Sequence, residues 1–332
     1  MIGGKMRAIV YDGYGAPEVL KLQEVVKPTP KDNEALIKVY AASINSMDWD
    51  MLTGKPAIYR LLFGVTGPKH PILGCDVAGI VEAVGAKVTR FQPGDEVYGD
   101  LSIGEKFGGF AEYACASENI LAPKPASMTF EQAAAIPQAG LLAYKGLQFH
   151  GEIKPGNKVL FNGAGGGAGS FALQMVKSMG AEVTGVDSAV KLETMLSLGA
   201  DHVIDYTRED FTKNGKRYDL ILDVVANRSI FDYKRSLNPN GSFGVIGGSI
   251  GRIIQIALLG PLISRLGDKK MGIVIHSPDK EGYEHMNELF ETGKMKPVID
   301  KVFPLSQTVE AFHYFSQGSF KGKIVIPIKT GN

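Results

Sequence analysis

The chain has 332 residues, 36 Lys and Arg against 35 Asp and Glu, and a net charge of +1; it is 44% hydrophobic and 21% charged. That length suffices for two domains with a sizeable core, and the composition is that of an ordinary globular protein. A charge so close to zero gives no support for nucleic acid or another strongly anionic partner, which leaves small molecules held in pockets.

Two cysteines, Cys75 and Cys115, are too few for a disulfide framework or a Cys-rich zinc site, and a cytoplasmic location is the expectation. The start, MIGGKMRAIVYDGYG, lacks the apolar core of a signal peptide, because its short run after Lys5 is bounded by Arg7 and Asp12. Met6 is an alternative start to Met1.

From Arg7 to about Ala126 the runs MRAIVYD, ALIKVYAASI, GIVEAVGA, DEVYG and FAEYACA are rich in β-branched and aromatic residues and are separated by turns such as Pro93-Gly94-Asp95. They predict a small β domain, a partly closed barrel without a long helix. Thr129 to Phe149 has helical spacing, interrupted at Pro137.

Lys158 to Asp187, KVLFNGAGGGAGSFALQMVKSMGAEVTGVD, carries the most information. Val159, Leu160 and Phe161 fit a buried strand, Gly163 to Gly169 is a glycine loop, Ser170 to Met179 has helical spacing, and a second strand ends on Asp187. A dinucleotide loop needs glycine for a sharp turn, for close approach to a pyrophosphate and for packing of helix on strand. Two frames fit: Ala164, Gly166 and Gly169, with alanine in first place, or Gly163, Gly166 and Gly169. The helix N-terminus at Ser170 then faces the diphosphate, and Asp187 stands where an acid accepts from ribose hydroxyls.

Beyond it, helices and strands alternate: the helix KLETMLSLGA, then HVIDY, LILDVV, the helix SIFDYKRSL, SFGVIGG, and a sixth strand over Met271 to His276. This alternation predicts an α/β fold, a doubly wound parallel sheet beside the β domain. Ile253 to Leu266 is apolar but too short for a span, and it contains Gln255, Pro261 and Arg265. It is expected either to lid a substrate pocket or to pack at a subunit contact. The tail, with the helix TVEAFHYFSQG and the strand KGKIVIPI, is expected to rejoin the β domain. The expected domains are 1–126 completed by 277–332, and 127–276.

In order and spacing, AASINSMD (41 to 48), LGCDVAG (73 to 79), FQPGDEVYG (91 to 99), GGFAEYA (108 to 114), IPQAGLLAYKGL (136 to 147), the glycine loop, LGADHVIDY (198 to 206) and GKIVI (322 to 326) resemble the medium-chain dehydrogenase/reductase superfamily, and more closely its zinc-free quinone oxidoreductase branch. The resemblance implies a GroES-like β barrel into which a Rossmann domain is inserted, and a dimer. Where the zinc branch has its ligands, this chain has Asn45, Cys75 followed by Asp76, and Gln138; two neutral amides replace soft donors, so no metal is expected. The six histidines have no ligand spacing.

The resemblance implies NAD(P)H-dependent hydride transfer to a quinone or to the C=C bond of an α,β-unsaturated carbonyl compound. Reduction of an enoyl thioester, or nucleotide binding with little turnover, are the alternatives. Asn45 is the implied substrate-side donor, with Ser46 replacing the family's proline, and Tyr59 or water is the expected proton source. The implied cofactor set is Gly163, Ala164, Gly166, Gly167, Ala168, Gly169, Asp187, Ser188, Lys191, Tyr206, Gly247, Gly248 and Lys323. Asp187 alone favours NAD(H), because a carboxylate repels a 2′-phosphate. Ser188, Lys191 and Tyr206 resemble the set by which this branch holds that phosphate, and NADP(H) is preferred.

Overall fold

A computed structural model describes residues 4–102, 107–276 and 278–328, apart from the side chain of Leu62. The chain divides into two units, one made of Met1–Gln138, Pro278–Asn287 and Ile299–Asn332, the other of Ala139–Ser277 and Glu288–Val298. Apart from residue 277, these bounds differ from the expected ones at two places. Residues 127–138 go with the first unit, because Phe130 stacks on Tyr40 at 4.5 Å and the Gln138 N–H reaches Asp76. Residues 288–298 go with the second, where Gln174 and the Lys296 backbone exchange hydrogen bonds of 2.9 and 3.0 Å.

The first unit is mostly an antiparallel sheet. Its strands run in the order Ile299–Val302, Lys323–Pro327, Glu34–Ile44, Asp76–Val84, Glu96–Asp100 and Leu121–Pro123, with Tyr113–Ser117 also paired to Glu34–Ile44. Lys5–Val10 and Lys21–Val26 form a separate antiparallel pair. Ile37, Val39, Val77, Val97 and Phe110 are among its buried apolar residues. Register sets the later chemistry: Ile324 lies opposite Ile44, Ser43 opposite Asp76, and Asp76 opposite Asp100.

The β domain lacks a long helix, as expected, but it holds two short ones that the sequence pattern does not show. Ser46–Thr53 and Ile58–Phe63 are helical, the first ending at Gly54 in the left-handed region (φ 59°). Runs of one or two turns are too short to display a 3.6-residue period.

The second unit is a parallel sheet in the order His202–Asp205, Glu182–Asp187, Lys158–Asn162, Tyr218–Asp223, Leu237–Val245 and Lys270–Ile273. Chain order within it is 3-2-1-4-5-6, so direction reverses beside Lys158–Asn162, and the crevice beyond the strands' carboxyl ends is the place for a ligand. The last strand closes at Ile273, short of the expected His276. Ile250–Leu266 is one helix with Pro261 inside it. Among the described residues, no helix is long and apolar enough to cross a membrane.

Candidate functional site

The glycine loop follows the strand Lys158–Asn162 and leads into the helix Gly167–Ser178. Gly163 takes φ +87°, a region that favours glycine, and the N–H groups of Gly163 and Ala164 both donate to the Val186 carbonyl, at 2.9 and 3.1 Å. At Gly169 a Cβ would lie 2.4 Å from both the Ala164 Cα and the Gly163 oxygen, so helix and loop meet only because it is glycine. The Gly163, Gly166, Gly169 frame therefore matches the geometry, while Ala164 is fully buried beneath the loop. Gly166 is the helix N-cap and has no side chain to cap with. The first-turn N–H groups around Gly167 and Ala168 are accordingly available to ligand oxygens, and a dinucleotide's diphosphate fits that cradle.

Asp187 ends its strand, and its carboxylate accepts from the Gly165 N–H at 3.0 Å and the Ser188 N–H at 2.8 Å. Lys191 pairs with it at 3.4 Å, both side chains being less than a tenth exposed. The Tyr206 N–H donates to the Asp187 carbonyl at 3.2 Å, which brings Tyr206 with its exposed ring to the same edge. Asp187, Ser188, Lys191 and Tyr206 are thus gathered as the sequence implied. The pattern does not point to Gly165, where a Cβ would lie 2.7 Å from the Lys191 side chain. A third adjacent glycine was the available signal.

Gly247 and Gly248 follow the strand Leu237–Val245. They run against Val224 to Ala226: the Ala226 N–H donates to the Gly247 oxygen at 3.0 Å, and a Cβ on Gly248 (φ +149°) would meet the Ala226 backbone at 2.5 Å. Beside them Asp223, fully buried, accepts from Asn162 Nδ2, Tyr233 Oη and the Val225 N–H. Burial pushes its carboxyl up to about 6 against those hydrogen bonds. Nothing in its LILDVV context marks it.

In the first unit three neighbouring strands bring together Asn45, Asp76 and Lys323. Asp76, fully buried, accepts from Ser43 Oγ (3.1 Å), Asn45 Nδ2 (2.9 Å) and the Gln138 N–H (3.0 Å), and its carboxylate is 3.4 Å from Lys323 Nζ. Lys323 Nζ also donates to Asn45 Oδ1. Burial raises the Asp76 carboxyl despite the ammonium beside it. Lys323, implied as a cofactor residue, is a buried residue of this cluster. Asp48 accepts from the N–H groups of Asn45, Gly74 and Cys75 at 2.9–3.1 Å, and burial pushes it up to about 7.

Tyr59 sits half-buried on the helix Ile58–Phe63, with the Asp50 carboxyl beside it. Burial comes first in raising the phenol, followed by the charge of Asp50; burial likewise lifts Asp50 to about 6. Among the described residues, no hydrogen bond joins Tyr59 to Asn45. A cavity of about 490 Å³, lined in part by Arg90, Phe91, Lys124, Tyr283 and Asn287, contains none of the implied site residues.

The residues at the zinc-branch positions do not fit zinc. The Cys75 thiol is buried, donates to Asp48 at 3.3 Å and is raised by burial, whereas zinc takes a thiolate. Asp76 is surrounded by donors, and the cation beside it is an ammonium. Among the described residues, no group of three or more His, Cys, Asp and Glu could hold a metal ion.

Residues 31–126 match the family described as alcohol dehydrogenase GroES-like domain, and residues 198–326 the one described as zinc-binding dehydrogenase. The chain is 34% identical to a 2-methylene-furan-3-one reductase of Solanum lycopersicum, over 98% of this chain and 80% of that protein. It is 33% identical to the chloroplastic NADPH-dependent alkenal/one oxidoreductase of Arabidopsis thaliana, over 97% and 79%. The structure of the quinone oxidoreductase from Coxiella burnetii superposes with a TM-score of 0.87 at 28% identity, covering 98% of this chain and 100% of that one. With its antiparallel GroES-like unit and its Rossmann-like parallel sheet, the chain belongs to the medium-chain dehydrogenase/reductase superfamily, in the quinone oxidoreductase-like branch.

Proposed function

We propose that the chain is an NADPH-dependent reductase that delivers hydride, without a metal ion, to a quinone or to the C=C bond of an α,β-unsaturated carbonyl compound. The observation that carries this reading is the Asn45–Asp76–Lys323 cluster, in which the amide of Asn45, at a position a zinc dehydrogenase gives to a metal ligand, is held between a carboxylate and an ammonium. Charge that develops on a substrate oxygen is then met by hydrogen bonding rather than by a Lewis acid. The names of the relatives, a 2-methylene-furan-3-one reductase and an NADPH-dependent alkenal/one oxidoreductase, support the same substrate class.

Bound NADPH supplies the hydride. The N–H groups at the start of Gly167–Ser178 hold its diphosphate, and Gly247 and Gly248 let the backbone approach it. Ser188, Lys191 and Tyr206 hold the 2′-phosphate. Asp187 does not oppose this, because two N–H groups and the Lys191 ammonium already engage its carboxylate. The same arrangement supports NADPH over NADH. The second N–H of Asn45 donates to the carbonyl oxygen, which gains charge as hydride adds to the β-carbon. Tyr59, with Asp50 as its partner, supplies the proton that converts the enolate to the saturated carbonyl.

The partner reading is a homodimer. Ile250, Ile254, Leu258, Leu262 and Leu266 recur at every fourth residue of one helix and are all exposed, Leu258 by 71% and Leu266 by 78%. Beside them in the chain, the edge strand Lys270–Ile273 leads to Ile275, which is 79% exposed. Replacing Leu258 with Asp should halve the mass in solution. Free cysteines, one of them buried, support a reducing compartment, and the cytoplasm is the proposed location.

The test is consumption of NADPH with a panel of quinones and enones in the presence of a chelator. Turnover that survives chelation is expected; absence of turnover across the panel would overturn the reading.

A further inference from the structure

We propose that Lys323 is a positioning residue that, with Asp76, fixes the carboxamide of Asn45 so that a single N–H is left to meet the substrate oxygen. This rests on the reading of Asn45 as the substrate-side donor.

The two ends of an Asn side chain have nearly the same shape, and only their surroundings decide which end is oxygen. Here both ends face a full charge. Oδ1 accepts from the Lys323 ammonium, and Nδ2 donates to the Asp76 carboxylate at 2.9 Å. A flipped amide would set carbonyl against carboxylate and NH₂ against ammonium, so one orientation alone is stable. Of the donors on the amide, one N–H is used by Asp76, and among the described residues the other has no partner.

The backbone of Asn45 is fixed as well, since its N–H donates to Asp48 Oδ2 at 2.9 Å. Asp76 is held by Ser43 Oγ and by the Gln138 N–H. The backbone of Asn45 and the carboxylate that its amide touches are therefore both held. Both members of the ion pair are at most 2% exposed. A buried pair of this kind is weak evidence for stability and is best explained by the geometry it imposes. The strand Lys323–Pro327 is what brings the ammonium there, through its antiparallel register with Glu34–Ile44. In this account Lys323 acts through Asn45 and does not bind the cofactor.

Lys323→Met, Lys323→Arg and the double variant Lys323→Met with Asp76→Asn would be made in the full chain. For each, the NADPH dissociation constant is measured by fluorescence titration. KM and kcat are measured with 3-penten-2-one at saturating NADPH, and melting temperature is recorded. Lys323→Met should lower kcat about 10- to 100-fold, by analogy with loss of an oxyanion donor's alignment, while NADPH affinity changes less than about twofold and Lys323→Arg recovers part of kcat. The double variant leaves no unpaired buried charge, so it should melt at a higher temperature than Lys323→Met, and its kcat should stay low.

A tenfold or larger loss of NADPH affinity with kcat unchanged would make Lys323 a cofactor ligand and overturn the proposal. Unchanged kcat in a folded double variant would overturn it too. Failure of the wild-type chain to turn over any enone or quinone would instead remove the underlying reading.

Discussion

Each unit of the molecule buries one lysine against one aspartate at 3.4 Å: Lys323 with Asp76 in the antiparallel unit, and Lys191 with Asp187 in the parallel one. The two pairs do different work. Asp187 and Lys191 are four residues apart in the chain, and the acid spends its oxygens on backbone N–H groups of the glycine loop and its own turn. Asp76 and Lys323 are 247 residues apart and hold a side-chain amide. The local pair shapes a cradle for a phosphate; the distant pair aims a donor. A buried ion pair is thus read from what else its members touch, since charge and distance are the same in both.

Breaking each pair by the same substitution sharpens that contrast. Asp76→Ala leaves an ammonium that is 2% exposed without its counter-charge and should cost about 3–5 kcal/mol of stability, read from the denaturation midpoint. Asp187→Ala should cost less, about 1–3 kcal/mol, because the Lys191 stem can carry its charge outward; it should weaken NADPH binding through the loosened loop. Equal losses of stability would remove the distinction.

Lys191→Ala addresses cofactor choice. If Lys191 holds the 2′-phosphate, kcat/KM with NADPH should fall about 10- to 100-fold, the worth of a hydrogen bond to a charged group. The value with NADH should change much less. An equal fall with both cofactors would leave Lys191 only its part in holding Asp187.

The smallest effect concerns acids held by hydrogen bonds instead of a lysine. Burial raises Asp48 to about 7 and Asp223 to about 6, from an ordinary value of 3.8. The folded chain therefore binds these protons more tightly than the unfolded chain. The stability they contribute is complete below about pH 4 and is lost as pH rises through 6 and 7. The melting temperature of Asp48→Asn should accordingly fall less between pH 5 and pH 8 than that of the wild type. An identical pH dependence in both would contradict the assignment to Asp48.

Locality also explains what the sequence made legible. The glycine loop, Asp187, Ser188 and Lys191 lie within one β-α-β stretch, where spacing alone sets geometry, and the structure gathers them. Gly165 escapes because a search for glycines three apart passes over the one between. The cluster at Asn45 was legible only in part. Its amide could be named from its motif, but the meeting with Lys323 depends on strand register across most of the chain. The exposed face of Ile250–Leu266 was visible as an apolar run, and its four-residue period became meaningful once the run was known to be a single helix.

Metal-free delivery of hydride to an alkene carbon is tested by the fate of that hydride. NADPH deuterated at its transferable position, 3-penten-2-one and the chelated protein should yield 2-pentanone with deuterium on the former β-carbon, as read by mass spectrometry and NMR. Deuterium at the carbinol carbon of an alcohol, or no label in any product, would contradict the account.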